Sequence, residues 1–258
     1  MKLLITGSRG FIGKNMVNAL KEEFDVTQYE WGMSFPDVDP FDWVIHLGAI
    51  SSTTEQNISK IYRQNLDFSI KLYEECIKKN VNFQFASSAS VYGLVSDFKE
   101  DSPLDPQNHY ARSKYMFEKY VEVRKAPIRT QVFRYFNVFG PHEDHKGDQA
   151  SPYTKFAKQA KETGVIKLFE GSDRFFRDFI HVEEIVSLHK KFLGIPLSGV
   201  WNFGTGKEKS FYDVAKEVAE QHSSEIKYIP MPEILKGNYQ SFTKADTAKL
   251  QATIQEAT

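Results

Sequence analysis

A chain of 258 residues with 41% apolar and 14% aromatic content can bury a sizeable core, which excludes a disordered or collagen-like polymer. Its 33 basic and 34 acidic residues leave a formal charge of −1, so no general attraction to nucleic acid or an anionic membrane is expected. A single cysteine, Cys76, excludes an internal disulfide and a multi-thiolate metal site, and suits a reducing compartment.

The opening Met1-Lys2-Leu3-Leu4-Ile5-Thr6-Gly7 is too short an apolar run for a signal peptide. No later stretch approaches the ~20 apolar residues of a membrane span, so a cytoplasmic protein is expected. Leu3 to Thr6 predicts a first strand that stops at glycine. Residues 11–23 follow with helical spacing, Phe11, Ile12, Met16 and Leu20 sharing related faces. Asp25 to Tyr29 and Trp43 to Leu47 predict two more strands. A long helix is expected over 58–79, then a strand at Asn82 to Ala86 and a serine-rich turn. Asp105-Pro106 reads as an N-cap and first-turn pair opening a helix through about Val123. Thr130 to Phe136 predicts a further strand. The second half carries helical spacing at 151–163, 182–193 and 210–221, with strand candidates at Ile166 to Phe169 and Ser198 to Gly204. Alternation of this kind implies an α/β fold, a doubly wound and mostly parallel sheet covered on both faces. With no linker or repeat, a smaller lobe is expected to interleave with the sheet.

Two motifs carry chemistry. Gly7-Ser8-Arg9-Gly10-Phe11-Ile12-Gly13 lies between the first strand and first helix. Glycines there let the backbone turn tightly and approach a pyrophosphate at the positive end of the helix dipole. Glu30, ending the second strand, can accept ribose hydroxyls of NAD and repel a 2′-phosphate, whereas Arg9 can pair with that phosphate of NADP. The second motif is Tyr110-Ala111-Arg112-Ser113-Lys114. Its i, i+4 spacing puts a phenol and an ammonium on one helix face, where the cation lowers the phenol pKa. Upstream, Ser87-Ser88-Ala89-Ser90 places hydroxyls at a strand end. His142-Glu143-Asp144-His145 suits a solvated turn better than a metal site, and no metal is expected.

Together with His46-Leu47-Gly48-Ala49, Arg134 to Pro141, Arg177 to Val182 and Asn202 to Gly206, these motifs resemble the extended short-chain dehydrogenase/reductase superfamily, which modifies nucleotide sugars. The resemblance implies a Rossmann domain at 1–140 and 176–204 and a small substrate lobe at 141–175 and 205–258, shortened relative to the family. It implies Ser88, Tyr110 and Lys114 as catalytic residues. Gly7, Arg9, Gly10, Phe11, Ile12, Gly13, Glu30, Leu47, Ala49 and Asn65 would contact the cofactor, with Tyr110 and Lys114. Ser51, Ser88, Asn137 and Arg177 would contact substrate. Segments 48–55, 145–147, 167–172 and 235–240 further resemble the ADP-glyceromanno-heptose 6-epimerases of lipopolysaccharide synthesis. That resemblance implies a second acid–base lysine, Lys146, a substrate contact at Tyr239, and NADP with NAD as the alternative, while the superfamily's dimers imply a homo-oligomer. The expected reaction oxidises one sugar carbon to a transient ketone and returns hydride to its opposite face. Another nucleotide-sugar epimerase or a reductase of the same superfamily is one alternative, and a non-catalytic NAD(P)-binding regulator is the alternative from another class. Two departures stand out. Only residues 32–42 separate Glu30 and Trp31 from the next strand, leaving no room for a third strand and helix. The terminal helices of the lobe are expected to be missing after Lys244-Ala245-Asp246.

Overall fold

The computed structural model describes residues 1–52, 55–232 and 241–257. Six strands form one parallel sheet: β1 (Lys2–Thr6), β2 (Asp25–Tyr29), β3 (Trp43–His46), β4 (Asn82–Ser88), β5 (Thr130–Tyr135) and a strand at Gly199–Phe203, here β9. Their spatial order is β2-β1-β3-β4-β5-β9. The order reverses beside β1, and such a reversal opens a crevice at the carboxyl ends of the strands. The central strands are buried along most of their length because both faces are covered. Leu4, Val44, Phe83, Phe85 and Val132 meet the helices α3 (Phe68–Lys79) and α4 (His109–Arg124). Leu3, Ile5, Trp43 and Ile45 meet α1 (Phe11–Leu20), with Val186 and Leu193 of the helix at Val182–Leu193, α6.

The expected 58–79 helix is continuous but not uniform. A short α2 (Ile58–Tyr62) passes through one π-turn at Arg63–Asp67 into α3. The π-turn is where Asn65 points inward, fully buried. The helix after the serine turn starts later than Asp105-Pro106 suggests. Asn108 is its N-cap, its side-chain oxygen accepting the Ala111 N–H at 2.9 Å, while the Asp105 N–H is spent on the Val91 carbonyl at 3.1 Å.

Between β2 and β3 no strand or helix intervenes, as the short spacing requires. Val38 is buried there and Phe35 and Phe41 pack on the core. Tyr29, Trp31 and Phe35 gather on the Phe68 ring at centroid distances of 5.5–5.8 Å, so aromatic packing covers what a crossover helix would.

The smaller layer is built from β6 (Asn137–Phe139), α5 (Pro152–Thr163), β7 (Val165–Phe169), β8 (Phe176–His181), β10 (Glu208–Ser210), α7 (Phe211–His222) and β11 (Glu225–Ile229). It holds a β10-β8-β6 sheet and a β11-β7 pair, with Phe156, Leu168, Phe179 and Val214 in its own core. The chain crosses between layers at points other than the expected split. β6 and β8, assigned with the nucleotide-binding part, leave the six-stranded sheet for the small one. A terminal helix is also present where none was expected: α8 (Ala248–Glu256) lies on the large sheet, Trp201 donating to Thr253 Oγ1 at 2.9 Å and Leu250 packing beside Phe203. No helix among the described residues is long and apolar enough to cross a membrane.

Candidate active site

The crevice at the sheet's carboxyl end is a cleft of about 530 Å³. Its walls include Gly7, Gly10, Phe11, Ile12 and Gly13 from the first turn, Glu30 and Trp31 after β2, and Leu47 to Ser52 after β3. Tyr110 and Lys114 of α4, Tyr135 of β5, and His145 and Lys146 complete it.

The turn after β1 can only be made by glycine at two positions. Gly7 has φ +68°, and a Cβ there would lie 2.7 Å from Gly48 backbone atoms. A Cβ on Gly13 would overlap the Gly7 carbonyl. Gly10 caps α1 without a side-chain hydrogen bond and the first turn holds no acidic residue, so the amide end of the helix is left to an anion. Glu30 closes the other side. Its carboxylate accepts the Arg9 N–H at 2.5 Å and the Ser8 hydroxyl at 3.0 Å, while the Arg9 side chain is exposed.

Beneath the turn runs a chain of oriented hydrogen bonds. Gly48 N–H donates to Thr6 Oγ1 (3.2 Å), and the Thr6 hydroxyl meets His46 Nδ1 (2.6 Å). His46 Nε2 meets Ser69 Oγ (2.8 Å), and Ser69 donates to the Asn65 carbonyl (2.6 Å). Ser69's proton is committed to that carbonyl, so Nε2 carries the imidazole proton and Nδ1 accepts. Burial, then the Lys114 charge, push His46 down to about 3, so it stays neutral. Asn65 accepts the Ile50 N–H (2.8 Å) and donates to the Ile50 carbonyl (3.0 Å) and Ser113 Oγ (3.1 Å). Its polar atoms are thereby consumed in tying the Ala49-Ile50 loop to α4. Asn65 therefore sits under the cleft wall, not on it as a cofactor contact would.

Tyr110 and Lys114 share one face of α4 as their spacing requires. Lys114 is 2% exposed, donates to the Ala86 carbonyl at 2.7 Å and lies 4.5 Å from the Phe85 ring centre. Burial pushes it down to about 7, while the Glu118 carboxylate opposes that shift. Burial raises Tyr110, and a hydrogen bond with Ser88 lowers it. Ser88 caps the following turn, accepting the Ser90 N–H at 3.2 Å and hydroxyl at 2.9 Å. Lys146 lies 5.1 Å from the Phe11 ring centre, and burial lowers its pKa.

Asn137 and Arg177 are not on this cleft wall. The Asn137 amide donates to the Asp178 carbonyl at 3.2 Å, and Arg177 donates to the Phe176 carbonyl at 2.8 Å over the Phe211 ring. Asp178, fully buried, holds the Thr205 and Gly206 amides and the Ala245 N–H, which accounts for the Arg-Asp and Asn-Phe-Gly-Thr-Gly pattern as scaffold. Tyr239 and the 235–240 motif lie outside the described residues. Sequence reading missed the Glu118–Arg134 ion pair (2.7 Å, both side chains 4% exposed), to which Ser87 donates; the i, i+4 spacing puts Glu118 on the Lys114 face of α4 but does not point to Arg134. It also missed Tyr135, which donates to His189 Nε2, while His189 Nδ1 donates to Gln84 Oε1 at 2.7 Å. Nothing local in the sequence marks that chain.

A six-stranded parallel sheet, a glycine turn at its switch point and a Tyr-Lys pair facing it define a dinucleotide-binding enzyme fold. Residues 3–204 match the NAD dependent epimerase/dehydratase family, and the chain belongs to that family. Solved structures share the architecture. The UDP-N-acetylglucosamine 4-epimerase of Methanobrevibacter ruminantium is 24% identical with a TM-score of 0.88, over 98% of this chain and 91% of that one. The ADP-L-glycero-D-manno-heptose-6-epimerase of Helicobacter pylori is 24% identical with a TM-score of 0.86, over 98% and 90%. The UDP-glucose 4-epimerase of Thermus thermophilus, solved with NAD, is 25% identical with a TM-score of 0.83, over 98% and 92%.

Proposed function

We propose that the chain is a nucleotide-sugar epimerase that works with NAD, and that ADP-heptose, inverted at C6, is the substrate to test first. The observation that carries this reading is that Tyr110 with Lys114 and, from a different segment, Lys146 share one cleft. An inversion leaves the substrate oxygen in two positions, and a single acid–base group serves both only if the sugar moves far.

The glycine turn and the amide end of α1 would hold the pyrophosphate, and Glu30 the adenosine ribose. Its carboxylate, fixed by Arg9 N–H and Ser8, favours ribose hydroxyls and repels a 2′-phosphate, which turns the expectation from NADP toward NAD. When bound, NAD supplies a hydride acceptor that later returns the hydride to the carbon. Tyr110 takes the proton of the sugar hydroxyl at its Oη, with Ser88 Oγ as hydrogen-bond partner. The Lys114 ammonium, held on the Ala86 carbonyl, would favour the phenolate against the burial that raises Tyr110. Lys146 gives or takes the proton when the oxygen lies on its side. Ser51, which lines the cleft wall, would touch the sugar. The ADP-heptose assignment rests on the resemblance of segments 48–55, 145–147 and 167–172.

Purified protein incubated with ADP-heptose, UDP-glucose and UDP-N-acetylglucosamine, without added cofactor, tests the reading by proton NMR of the products. The expected outcome is epimer formation from ADP-heptose. Protein that carries bound NAD and converts none of the three sugars would favour the regulator instead.

A further inference from the structure

Glu143 belongs to the His-Glu-Asp-His segment that looks solvated in the sequence, yet it is 1% exposed. Its carboxylate accepts four donors. Oε1 takes the Gly140 N–H (2.9 Å), the Ser151 hydroxyl (2.9 Å) and the Thr154 hydroxyl (3.1 Å), and Oε2 takes the Ser151 N–H (2.6 Å). None of these donors is a cation. Ser151 is the N-cap of α5, so the charge also faces the positive end of that helix dipole. One side chain thus closes the whole connection from β6 to α5, binding it at residue 140 and again at 151 and 154.

Lys146 sits at the crest of that closed connection. Its N–H donates to the Glu143 carbonyl at 2.8 Å, and its ammonium reaches over Phe11. A second tie joins the same connection to the cofactor turn: Asn15 of α1 donates to the Pro141 carbonyl at 2.9 Å. The other titratable side chains on the cleft wall are Tyr110 and Lys114 from α4, Glu30 after β2 and His145 beside Lys146. Tyr29 also lines it, at the end of β2, and Tyr135 at the end of β5.

We propose that Glu143 is a positioning residue, a clasp that folds the β6–α5 connection inward and thereby fixes Lys146 against Phe11 in the cleft. Its consequence for turnover rests on the acid–base role proposed for Lys146; its consequence for where Lys146 sits does not. A carboxylate suits the place because every neighbour is a donor. An amide cannot serve, since its NH₂ would confront either the Ser151 N–H or the Oε1 donors.

The test compares Glu143→Gln with the parent by competitive acetylation of Lys146 across a pH series, read by mass spectrometry of its peptide on the whole protein with NAD bound. Burial holds the Lys146 amine below the ordinary lysine value, and the Glu143 charge opposes that. If Glu143 is the clasp, its loss releases Lys146 into water and the labelling midpoint rises toward the ordinary value. An unchanged midpoint overturns the proposal. A lower midpoint also overturns it, because Lys146 would have stayed in place and lost only a neighbouring charge. Thr154→Val removes one donor and keeps the carboxylate. It should move the midpoint the same way by less, and it serves where Glu143→Gln fails to fold. Turnover of the epimer pair should fall by up to about 10²-fold in Glu143→Gln, with no further loss when Lys146→Met is added. A risen midpoint together with full activity of Lys146→Met would leave the clasp standing and remove the acid–base role.

Discussion

Gly13→Ala is the smallest change that bears on the cofactor cradle. The added Cβ lands on the Gly7 carbonyl and lies 2.8 Å from Gly7 C and Ser8 Cα. All three are backbone atoms, so no side-chain rotation relieves the overlap. Gly7 has nowhere to retreat, because its N–H is bound to the Tyr29 carbonyl at 2.9 Å and Gly48 lies behind it. The turn must move as a unit, at a cost of about 2 kcal/mol by analogy with overpacked cores. For a chain of this size that corresponds to a fall of about 4–8 °C in Tm. Displaced amides at the start of α1 lose one or two charge-assisted hydrogen bonds to the pyrophosphate, each ~1.5–3 kcal/mol, so the Kd for NAD rises by about 10²-fold. Gly10→Ala is the contrast. Gly10 has φ −71°, and a Cβ there meets one atom, the Gly7 oxygen, at 3.2 Å, so Tm should stay within about 2 °C of the parent. Calorimetric unfolding and titration calorimetry with NAD measure both quantities. Parent-like stability and NAD affinity in Gly13→Ala would refute the assignment of this turn to the pyrophosphate.

Tyr110→Phe keeps the ring and removes the proton-transferring hydroxyl, so turnover should drop at least ~10²-fold with NAD still bound; near-normal turnover would remove the tyrosine from the mechanism. The parent should bind NAD more tightly than NADP, and Glu30→Ala should narrow that preference by restoring room for a 2′-phosphate. Tight NADP binding in the parent, weakened selectively by Arg9→Ala, would point instead to an arginine–phosphate contact. His46 and His189 are both held near 3 by burial, below the 6.5 of an unfolded histidine. Between those values the unfolded chain binds two more protons than the folded one, so stability falls as pH drops through that window. The two together should remove about 4 kcal/mol between pH 7 and pH 5, measurable by urea unfolding at each pH. A loss of about half that size would show that only one of the two is buried neutral, and stability that holds constant over that interval would show that neither is.

The parts of the molecule legible in the sequence are those set by contiguous residues. The glycine turn announces itself between an apolar run and a helical one, and Tyr110 and Lys114 fall on one helix face by spacing alone. The short 32–42 segment also reveals by its length that a strand and helix are lacking. What escapes is assembled from distant residues. Glu143 looks like a surface acid until Ser151 and Thr154, eight and eleven residues on, turn their donors to it. Glu118 and Arg134 are sixteen residues apart and meet only because α4 lies across β5. Asn65 has the residue type of a site contact, but the π-turn at Arg63–Asp67 aims it inward, and a π-turn has no simple sequence mark. α8 has a polar sequence whose buried residues, Leu250 and Thr253, are too few to set a helical stripe.

The central claim is that this cleft inverts a sugar carbon by moving a hydride off it and back. The most direct measurement uses ADP-heptose deuterated at C6, incubated with the purified protein in ordinary water and without added cofactor, until both epimers are present. The account predicts that the product epimer keeps its deuterium at C6. Loss of the label to solvent during epimerisation would contradict it, because the carbon would then have been inverted by giving up a proton to water.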